Sequence, residues 1–333
     1  MTSSPALGIP VVSAAAIDAA LSRRDAVEAI ASALHAGWDV EHGHDRLFAP
    51  LAGGEFLLMP AESAASAGIK VATIAPGNTQ RGLPKIHAWY LLFDRETLEP
   101  RAVLEGARLT TLRTPAVTTV AIEGLLAAHP DGARTSIARL AVVGSGPQAV
   151  EHVLTLVDRI PVGRVSILGR TPDRIDGAVA ALRAAGVAAG PGSHDHLAAA
   201  DVVIAATSSP TPVLDLDDVR PDTVVAAIGS HGRAHRELGE RLVRAADVVV
   251  EARASALREN GNLAAARTDE EWASGVQPIA NLVELVRGEV LRRRGAPALY
   301  TGVGMAWEDL AVVERIMEST RRAQPFASEE AYT

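Results

Sequence analysis

The chain of 333 residues contains no cysteine. Disulfide bonds, thiolate nucleophiles, thiolate zinc sites and iron–sulfur clusters are therefore excluded. The sequence also lacks any run of about 18 uncharged apolar residues, the length that a membrane-spanning helix requires. Met1–Pro10 holds no basic stretch followed by an apolar one, so we expect no secretory signal and a cytoplasmic location.

An excess of basic charge is absent as well. Lys and Arg number 32 against 40 Asp and Glu, which gives a formal net charge of −8. Binding to nucleic acid or to an anionic membrane requires a basic face, so neither is expected as a partner. The 10 histidines lie without clustered acidic partners, and we predict no metal site. These exclusions favour an enzyme that acts on small molecules.

Hydrophobic residues, in contrast, make up 48% of the chain, which is enough for a large core. The length predicts roughly two domains of about 150 residues each. Ser13–Ala36 has the apolar spacing of one or two helices. Short apolar runs separated by turn residues then predict strands, so the first hundred residues indicate an α+β unit. These runs are Glu55–Met59, Gly68–Ile74 and Ala88–Phe93.

From Thr114 onward, predicted strands alternate with predicted helices. A helix over Pro115–Ala127 comes first, and helices follow the first two strands of this part. Such alternation is typical of a doubly wound parallel sheet, and the predicted fold class is α/β: a Rossmann domain plus the α+β unit. The predicted strands are Ile137–Val143, Val165–Leu168, Asp201–Ala206, Thr223–Ile228 and Asp247–Val250.

A glycine-rich motif directly follows the first of these strands. It reads Gly144-Ser145-Gly146-Pro147-Gln148-Ala149 and opens a predicted helix. Gly144 permits a tight turn, Gly146 lets a pyrophosphate approach the backbone, and Ala149 lets the helix pack on the sheet. The helix N-terminus offers N–H groups and a positive dipole to the phosphates, so we predict a dinucleotide site.

The residues after the second strand bear on which dinucleotide binds. An NAD site usually has an acidic residue there, whereas this chain has Arg170, Thr171 and Arg174. The two arginines and the hydroxyl can pair with a 2′-phosphate, although solvated loop arginines are the alternative. We predict NADPH as the cofactor, with NADH possible.

Several segments together resemble the ornithine cyclodeaminase/mu-crystallin family over roughly Arg46 to Val313. The matching segments are Leu58–Ala61, Gly68–Val71, Pro76–Asn78, Leu109–Ala116, Val143–Ala149, Ala227–Ser230, Arg236–Leu238 and Val303–Leu310. The resemblance implies a homodimer of two-domain chains. Residues 1–115 with 305–333 would bind substrate and form the dimer sheet, and residues 116–304 would be the Rossmann domain. Family members act at the α-carbon of amino acids: they cyclise ornithine, dehydrogenate alanine or reduce cyclic ketimines.

Three cations match the family's substrate pocket: Arg46, Lys70 and Arg113. A rigidly held carboxylate would align the substrate's C2 with the nicotinamide, and arginine can hold a carboxylate with two hydrogen bonds. Lys70 begins an apolar strand, where an unpaired ammonium would be costly, and could also donate a proton as a general acid. Met59 either lines the pocket or belongs to the core.

Further cofactor contacts are expected after the central strands. Thr207 and Ser208 follow the strand Asp201–Ala206 at its carboxyl end, where doubly wound sheets bind ligands. The resemblance adds Gly229 and Ser230, and also Met305, which begins the last matched segment.

His231 departs from the family pattern. In ornithine cyclodeaminases and alanine dehydrogenases, the resemblance would place an Asp there to bind the substrate amine. A histidine can carry positive charge and repel ornithine, whereas ketimine reduction needs only a hydride, a bound carboxylate and a proton donor. His231 could be that donor, could bind the nicotinamide carboxamide, or could be an ordinary loop residue.

These observations predict an NADPH-dependent reductase of cyclic ketimines. It would convert 1-pyrroline-2-carboxylate or 1-piperideine-2-carboxylate into L-proline or L-pipecolate. The alternatives are an amino-acid dehydrogenase or cyclodeaminase and, from another class, a non-catalytic NADPH-binding protein like the crystallin relatives.

Overall fold

The computed structural model describes residues 8–230 and 232–323, so His231 and its predicted role lie outside the described residues. The chain divides into two compact units. The first unit comprises residues through Ala29, Gly43–Arg113 and the chain from Met305 onward. The second unit comprises Ile30–His42 and Thr114–Gly304.

The elements up to residue 127 form mainly the first unit. The strands are β1 (Val11–Val12), β2 (Leu47–Leu51), β3 (Gly54–Glu62), β4 (Ser66–Ile74), β5 (Ile86–Asp94) and β6 (Pro100–Glu105), and the helices are α1 (Ala14–Ala20), α2 (Arg23–His35) and α3 (Gly106–Ala127). The six strands form one sheet in the order β1-β6-β5-β4-β3-β2. β1 is parallel to β6, and every other pair is antiparallel.

The remaining elements follow in chain order. They are β7 (Ile137–Val143), α4 (Pro147–Val157), β8 (Val162–Leu168), α5 (Pro172–Ala184), β9 (Ala189–Pro191), α6 (His194–Ala198), β10 (Val202–Ala205), β11 (Val224–Ala227), α7 (Glu240–Ala245), β12 (Asp247–Val250), α8 (Arg253–Glu259), α9 (Gly261–Ala266), α10 (Asp269–Ala273), β13 (Ile279–Asn281), α11 (Leu282–Val286), β14 (Ala298–Thr301) and α12 (Ala306–Ala323).

The strands of the second unit form an eight-stranded parallel sheet in the order β13-β12-β14-β11-β10-β7-β8-β9. β10, β11 and β14 are buried along their whole length, as expected for a parallel sheet covered on both faces. The chain order reverses at β7, which pairs with β8 on one side and β10 on the other. The predicted fold class, a doubly wound parallel sheet plus an α+β unit, is confirmed.

The boundaries predicted for the two domains can be set beside these units. The predicted Rossmann domain begins at residue 116 and ends at residue 304. The main segment of the second unit begins at Thr114 and ends at Gly304. Residues 30–42, which the sequence analysis placed in the first domain, group with the second unit. Glu41 explains this, because its Oε1 lies 3.0 Å from Arg253 Nη1 and accepts a hydrogen bond of 2.8 Å from Asn281 Nδ2.

The sequence predicts that α3 begins at Pro115. That start was wrong: α3 begins at Gly106 and contains Pro115 in its interior. The proline removes one backbone hydrogen bond. Leu109, Leu112 and Ala116 are fully buried, and this packing holds the helix across the missing bond.

Candidate active site

Lys70 lies in the middle of β4, on the buried face of the first unit's sheet. The strand register places it directly opposite Met59 of β3 and Tyr90 of β5. Opposite residues of antiparallel strands share one face, so all three side chains point the same way. Lys70 is 3% exposed, and Met59 and Tyr90 are fully buried. Met59 thus lies next to the predicted proton donor and also in the core.

Two groups receive hydrogen bonds from the Lys70 ammonium. Its Nζ donates to Asp309 Oδ2 at 2.7 Å and to Thr110 Oγ1 at 3.2 Å. The Thr110 hydroxyl donates to the backbone oxygen of Gly106 in α3, so its position is fixed. Asp309 is in the first turn of α12 and is fully buried. An ammonium so far from water requires such a partner.

Arg113 lies on α3 and contacts Asp309 and the adjacent carboxylate, Glu308. Its Nη1 donates to Glu308 Oε2 at 2.6 Å, and its Nε lies 3.3 Å from Asp309 Oδ1. Arg113 is 6% exposed and Glu308 is fully buried. Lys70, Arg113, Glu308 and Asp309 therefore form one buried group of two cations and two anions, named the ionic cluster below.

Burial and the charge of Asp309 act in opposite directions on the pKa of Lys70. Loss of solvation lowers the pKa of its ammonium, the charge of Asp309 opposes this and the charge of Arg113 adds to it, so that the resulting pKa is about 8. An ammonium with this pKa can release a proton near neutral pH, which a surface lysine cannot do. Burial, together with the charges of Asp309 and Glu314, raises the pKa of Tyr90 well above its usual value, so that phenol stays neutral.

Two more predicted residues belong to the first unit. Arg46 is half-buried and directly precedes β2, which is an edge strand of the sheet. Met305 is buried and directly precedes α12. The ionic cluster thus contains two of the three predicted cations, Lys70 and Arg113.

The glycine-rich motif of the second unit follows β7. Gly144 has a φ of +134°, and a Cβ there would lie 2.4 Å from the backbone oxygen of Ala206 after β10. Only glycine fits this close approach of two loops. The two loops follow β7 and β10, the neighbouring strands at which the chain order reverses, and doubly wound sheets bind ligands at this position.

The start of α4 has the features that a pyrophosphate needs. Gly146 is the N-cap residue, Pro147 occupies the first turn, and a Cβ on Gly146 would meet no atom within 4 Å. The first-turn N–H groups of a helix have no intrahelical acceptors and attract anions. Ser145 is half-buried, and the buried Oε1 of Gln148 accepts no hydrogen bond from the described residues. The open space at Gly146 and the first-turn N–H groups fit a pyrophosphate.

The end of β8 presents positive charge to solvent. Arg170, Thr171 and Arg174 are all exposed, and Thr171 caps α5 without a side-chain hydrogen bond. Within the part of the chain that the structure describes, neither arginine forms a salt bridge. These groups are therefore available to an anionic ligand at the end of this strand.

Glu237 joins the loops after β10 and β11, and the sequence analysis gave it no role. Its Oε1 accepts from the N–H and hydroxyl of Thr207 at 2.6 and 2.7 Å, and its Oε2 accepts from the N–H of Gly229 at 2.6 Å. Burial raises the pKa of this carboxyl to about 7, against the effect of the hydrogen bonds. A Cβ on Gly229 would lie 1.9 Å from Thr207 O, so this glycine is needed for packing.

The other predicted cofactor residues of these loops differ in exposure. Ser208 is exposed, next to Thr207. Ser230 is fully buried; its hydroxyl donates to the backbone oxygen of His235 at 2.8 Å and accepts from the N–H of Gly261 at 2.8 Å. These two bonds hold the Ser230 side chain between the backbones of His235 and Gly261.

Residues 13–324 match the ornithine cyclodeaminase/mu-crystallin family. The chain belongs to this family. It is 34% identical over 269 residues to the Δ1-pyrroline-2-carboxylate/Δ1-piperideine-2-carboxylate reductase of Azospirillum brasilense, covering 80% of this chain and 81% of that one. It is 28% identical to the ketimine reductase mu-crystallin of Mus musculus, covering 79% of each chain.

A solved structure shares the fold. It is the Δ1-pyrroline-2-carboxylate reductase of Thermococcus litoralis in complex with NADH and L-proline. It superposes with a TM-score of 0.82 at 23% identity and covers 95% of this chain and 98% of that one. Among the described residues, no helix combines the length and the apolar character needed to cross a bilayer.

The sequence analysis missed the two anions of the ionic cluster. Glu308 and Asp309 lie within the segment Val303–Leu310 that carries the resemblance, but no role was derived for them. The available signal was the pair of adjacent acids in the first turn of a helix, directly followed by the apolar run Leu310–Val313. Because Lys70 and Asp309 are 239 residues apart, only the fold shows that they pair.

Proposed function

We propose that the protein is an NADPH-dependent reductase of cyclic 2-imino carboxylates, which converts 1-pyrroline-2-carboxylate to L-proline and 1-piperideine-2-carboxylate to L-pipecolate. The observation that carries the proposal is the buried ionic cluster. It holds a lysine whose pKa is near 8 beside an arginine, in a chain 34% identical to a reductase of these two imines.

The reaction adds a hydride to C2 and a proton to the ring nitrogen, so the C=N bond becomes CH–NH. The guanidinium of Arg113 binds the substrate carboxylate, with Arg46 as a second cation. The ammonium of Lys70 gives its proton to the ring nitrogen, and its lowered pKa favours this transfer. When bound, the reduced nicotinamide supplies the hydride.

The second unit would hold the cofactor as a Rossmann domain. The first-turn N–H groups of α4 would bind the pyrophosphate, as Gly146 leaves the space and Gly144 permits the turn. Thr207, Ser208, Gly229, Ser230 and Met305 remain predicted cofactor contacts. Arg170 and Arg174, exposed and without a salt bridge to a described residue, support NADPH over NADH, because their charges would pair with the 2′-phosphate.

The first unit would bind the substrate and form a homodimer through the outer face of its sheet. Leu47, Leu58, Val71 and Trp89 are paired in one row across β2, β3, β4 and β5. Leu47 is 55% exposed and Trp89 is 48% exposed. An apolar row of this kind is typical of a protein interface. The cytoplasmic location remains a prediction, which cell fractionation tests.

The test is a panel of imino and amino acids assayed with NADPH, NADH and their oxidised forms, following absorbance at 340 nm and free ammonia. A ketimine reductase consumes NADPH with the two cyclic imines. Reduction of NAD⁺ by an amino acid would instead indicate a dehydrogenase, and ammonia release from ornithine without net cofactor change would indicate a cyclodeaminase. An unchanged cofactor with every compound would indicate a non-catalytic binding protein.

A further inference from the structure

Asp309 contacts both cations of the ionic cluster. Its Oδ2 accepts from Lys70 Nζ at 2.7 Å, and its Oδ1 lies 3.3 Å from Arg113 Nε. The other anion, Glu308, bonds to Arg113 through a different guanidinium nitrogen, Nη1. The two adjacent carboxylates therefore have different tasks, and only Asp309 joins the lysine to the arginine.

The surroundings of Lys70 make its charge depend on Asp309. The charged groups that affect the ammonium are Asp309 and Glu308 on α12 and Arg113 on α3, and the titratable phenol of Tyr90 lies opposite on β5. Arg113 repels the ammonium, and Tyr90 is neutral. Without the Asp309 charge, the buried ammonium would lose its bonded anion while the charge of Arg113 remained near it, an arrangement that favours loss of its proton.

We propose that Asp309 is the positioning residue of the site: it keeps Lys70 protonated, and it holds Lys70 and Arg113 at a fixed distance from each other. Glu308 positions Arg113 and acts on Lys70 through its charge, more weakly than Asp309 does. This inference rests on the proposed function and deepens it, because it says which group prepares the proton donor for the next turnover.

The difference between the two carboxylates can be measured. A guanidinium stays charged at every accessible pH, so Glu308→Gln can disturb the position of Arg113 but cannot remove its charge. Asp309→Asn keeps the shape of the side chain and removes the charge that stabilises the ammonium. Glu308→Gln should mainly raise KM. Asp309→Asn should raise KM and should also change the pH dependence of kcat/KM.

The experiment measures kcat and KM for 1-pyrroline-2-carboxylate from pH 5.5 to pH 9.5 in wild type and in variants. Because Lys70 must be protonated to act, wild-type kcat/KM should fall above a pH near 8. In Asp309→Asn this alkaline limb should shift to lower pH by at least about one pH unit. The loss in kcat should reach about 100-fold at pH 8.5 and be several times smaller at pH 6.

Matched variants separate position from charge. Asp309→Glu retains the charge but moves it by one methylene, so it should keep the alkaline limb while lowering kcat. Glu308→Gln should raise KM about 10-fold and shift the limb to lower pH by less than Asp309→Asn does, because the Glu308 charge has the smaller effect on Lys70. Glu314→Gln is the control. Glu314 lies on the same helix as Asp309 but outside the ionic cluster, and it accepts a hydrogen bond from the Ser63 hydroxyl. Its substitution should leave the kinetics unaltered.

A readout without turnover keeps this inference separate from the proposed function. The folded-state pKa of Lys70 lies near 8, below the unfolded value of 10.5, so the free energy of unfolding should rise with pH between these values. In Asp309→Asn the rise should begin at a lower pH, and in Lys70→Met it should be absent.

The outcomes can be told apart. An Asp309→Asn variant that loses melting temperature and activity equally at every pH, with neither the limb nor the onset of the stability rise displaced, would overturn the inference and leave only a structural role. A wild-type protein that reduces no imine would overturn the proposed function, and the stability measurement would still decide the role of Asp309.

Discussion

Arg113 places a planar guanidinium between two carboxylates, with Nη1 2.6 Å from Glu308. Replacing it by alanine would leave two buried anions and would endanger folding, which makes lysine the better test. Arg113→Lys keeps the charge but loses the pair of parallel donors that a carboxylate accepts. We expect KM for the imino acid to rise about 10- to 100-fold, while the Kd for NADPH stays within about twofold.

Steady-state kinetics and fluorescence titration of NADPH measure these two constants in the Arg113→Lys variant. Equal losses in substrate and cofactor binding would contradict the assignment of Arg113 to the substrate carboxylate.

Arg170 and Arg174 are the residues proposed to select NADPH over NADH. Both are exposed after β8. Replacing both by alanine should lower kcat/KM for NADPH about 10- to 100-fold and leave the value for NADH nearly unchanged, since only NADPH has the 2′-phosphate. Arg164→Ala, an exposed residue near the other end of β8, is the matched control and should change neither value. A parallel loss with both cofactors would place the 2′-phosphate elsewhere.

At the scale of the element, the two glycines of the loop between β7 and α4 should behave differently. Gly144 has a φ of +134° and no room for a Cβ, so Gly144→Ala should destabilise the fold by about 1–3 kcal/mol. Gly146 has a φ of −85° and open space, so Gly146→Ala should fold normally and raise the Kd for NADPH at least about 10-fold. Thermal melting and cofactor titration check the pair, and normal NADPH binding by Gly146→Ala would argue against a phosphate site here.

Glu237 connects the loops after β10 and β11 at the same edge of the sheet. Its folded-state pKa of about 7 lies above the unfolded value of 4.5, so the folded state holds the extra proton between these values. The free energy of unfolding should therefore fall as pH rises from 4.5 to 7, by about 3 kcal/mol for this group. Urea titrations across this range should show a smaller fall in Glu237→Gln, and identical slopes would exclude Glu237 as the cause.

Local sequence patterns predicted those elements whose signal lies within a few residues. The strand, glycine motif and helix from Ile137 to Val157 are of this kind. These patterns failed for α3, where packing of distant residues overrides Pro115, and for the strands β2 and β6, which contain or begin with a proline. The candidate cations Lys70 and Arg113 came from a family resemblance, but their partners Glu308 and Asp309 needed the fold, because ion pairs across the chain leave no periodic pattern.

At the scale of the whole molecule, the outer face of the six-stranded sheet predicts a dimer. Sedimentation velocity of the wild type should give a dimer mass at micromolar concentration, and Trp89→Glu should give a monomer, because a charge would be buried in an apolar interface. Leu291→Glu is the control, as Leu291 is 89% exposed in the second unit and outside this sheet. A monomeric wild type, or a dimer unaffected by Trp89→Glu, would place association elsewhere or exclude it.

In the proposed reaction, the first unit would bind the imino acid at its buried ionic cluster, and the second unit would bind the dinucleotide at its glycine-rich loop. The most direct test of this account follows the hydride itself. NADPH deuterated at C4 of the nicotinamide is incubated with 1-pyrroline-2-carboxylate, and the product is examined by mass spectrometry. The proposed reductase should form L-proline with one deuterium at C2 and one oxidised cofactor per product molecule. Proline without deuterium at C2, or no proline while NADPH stays intact, would contradict this proposal.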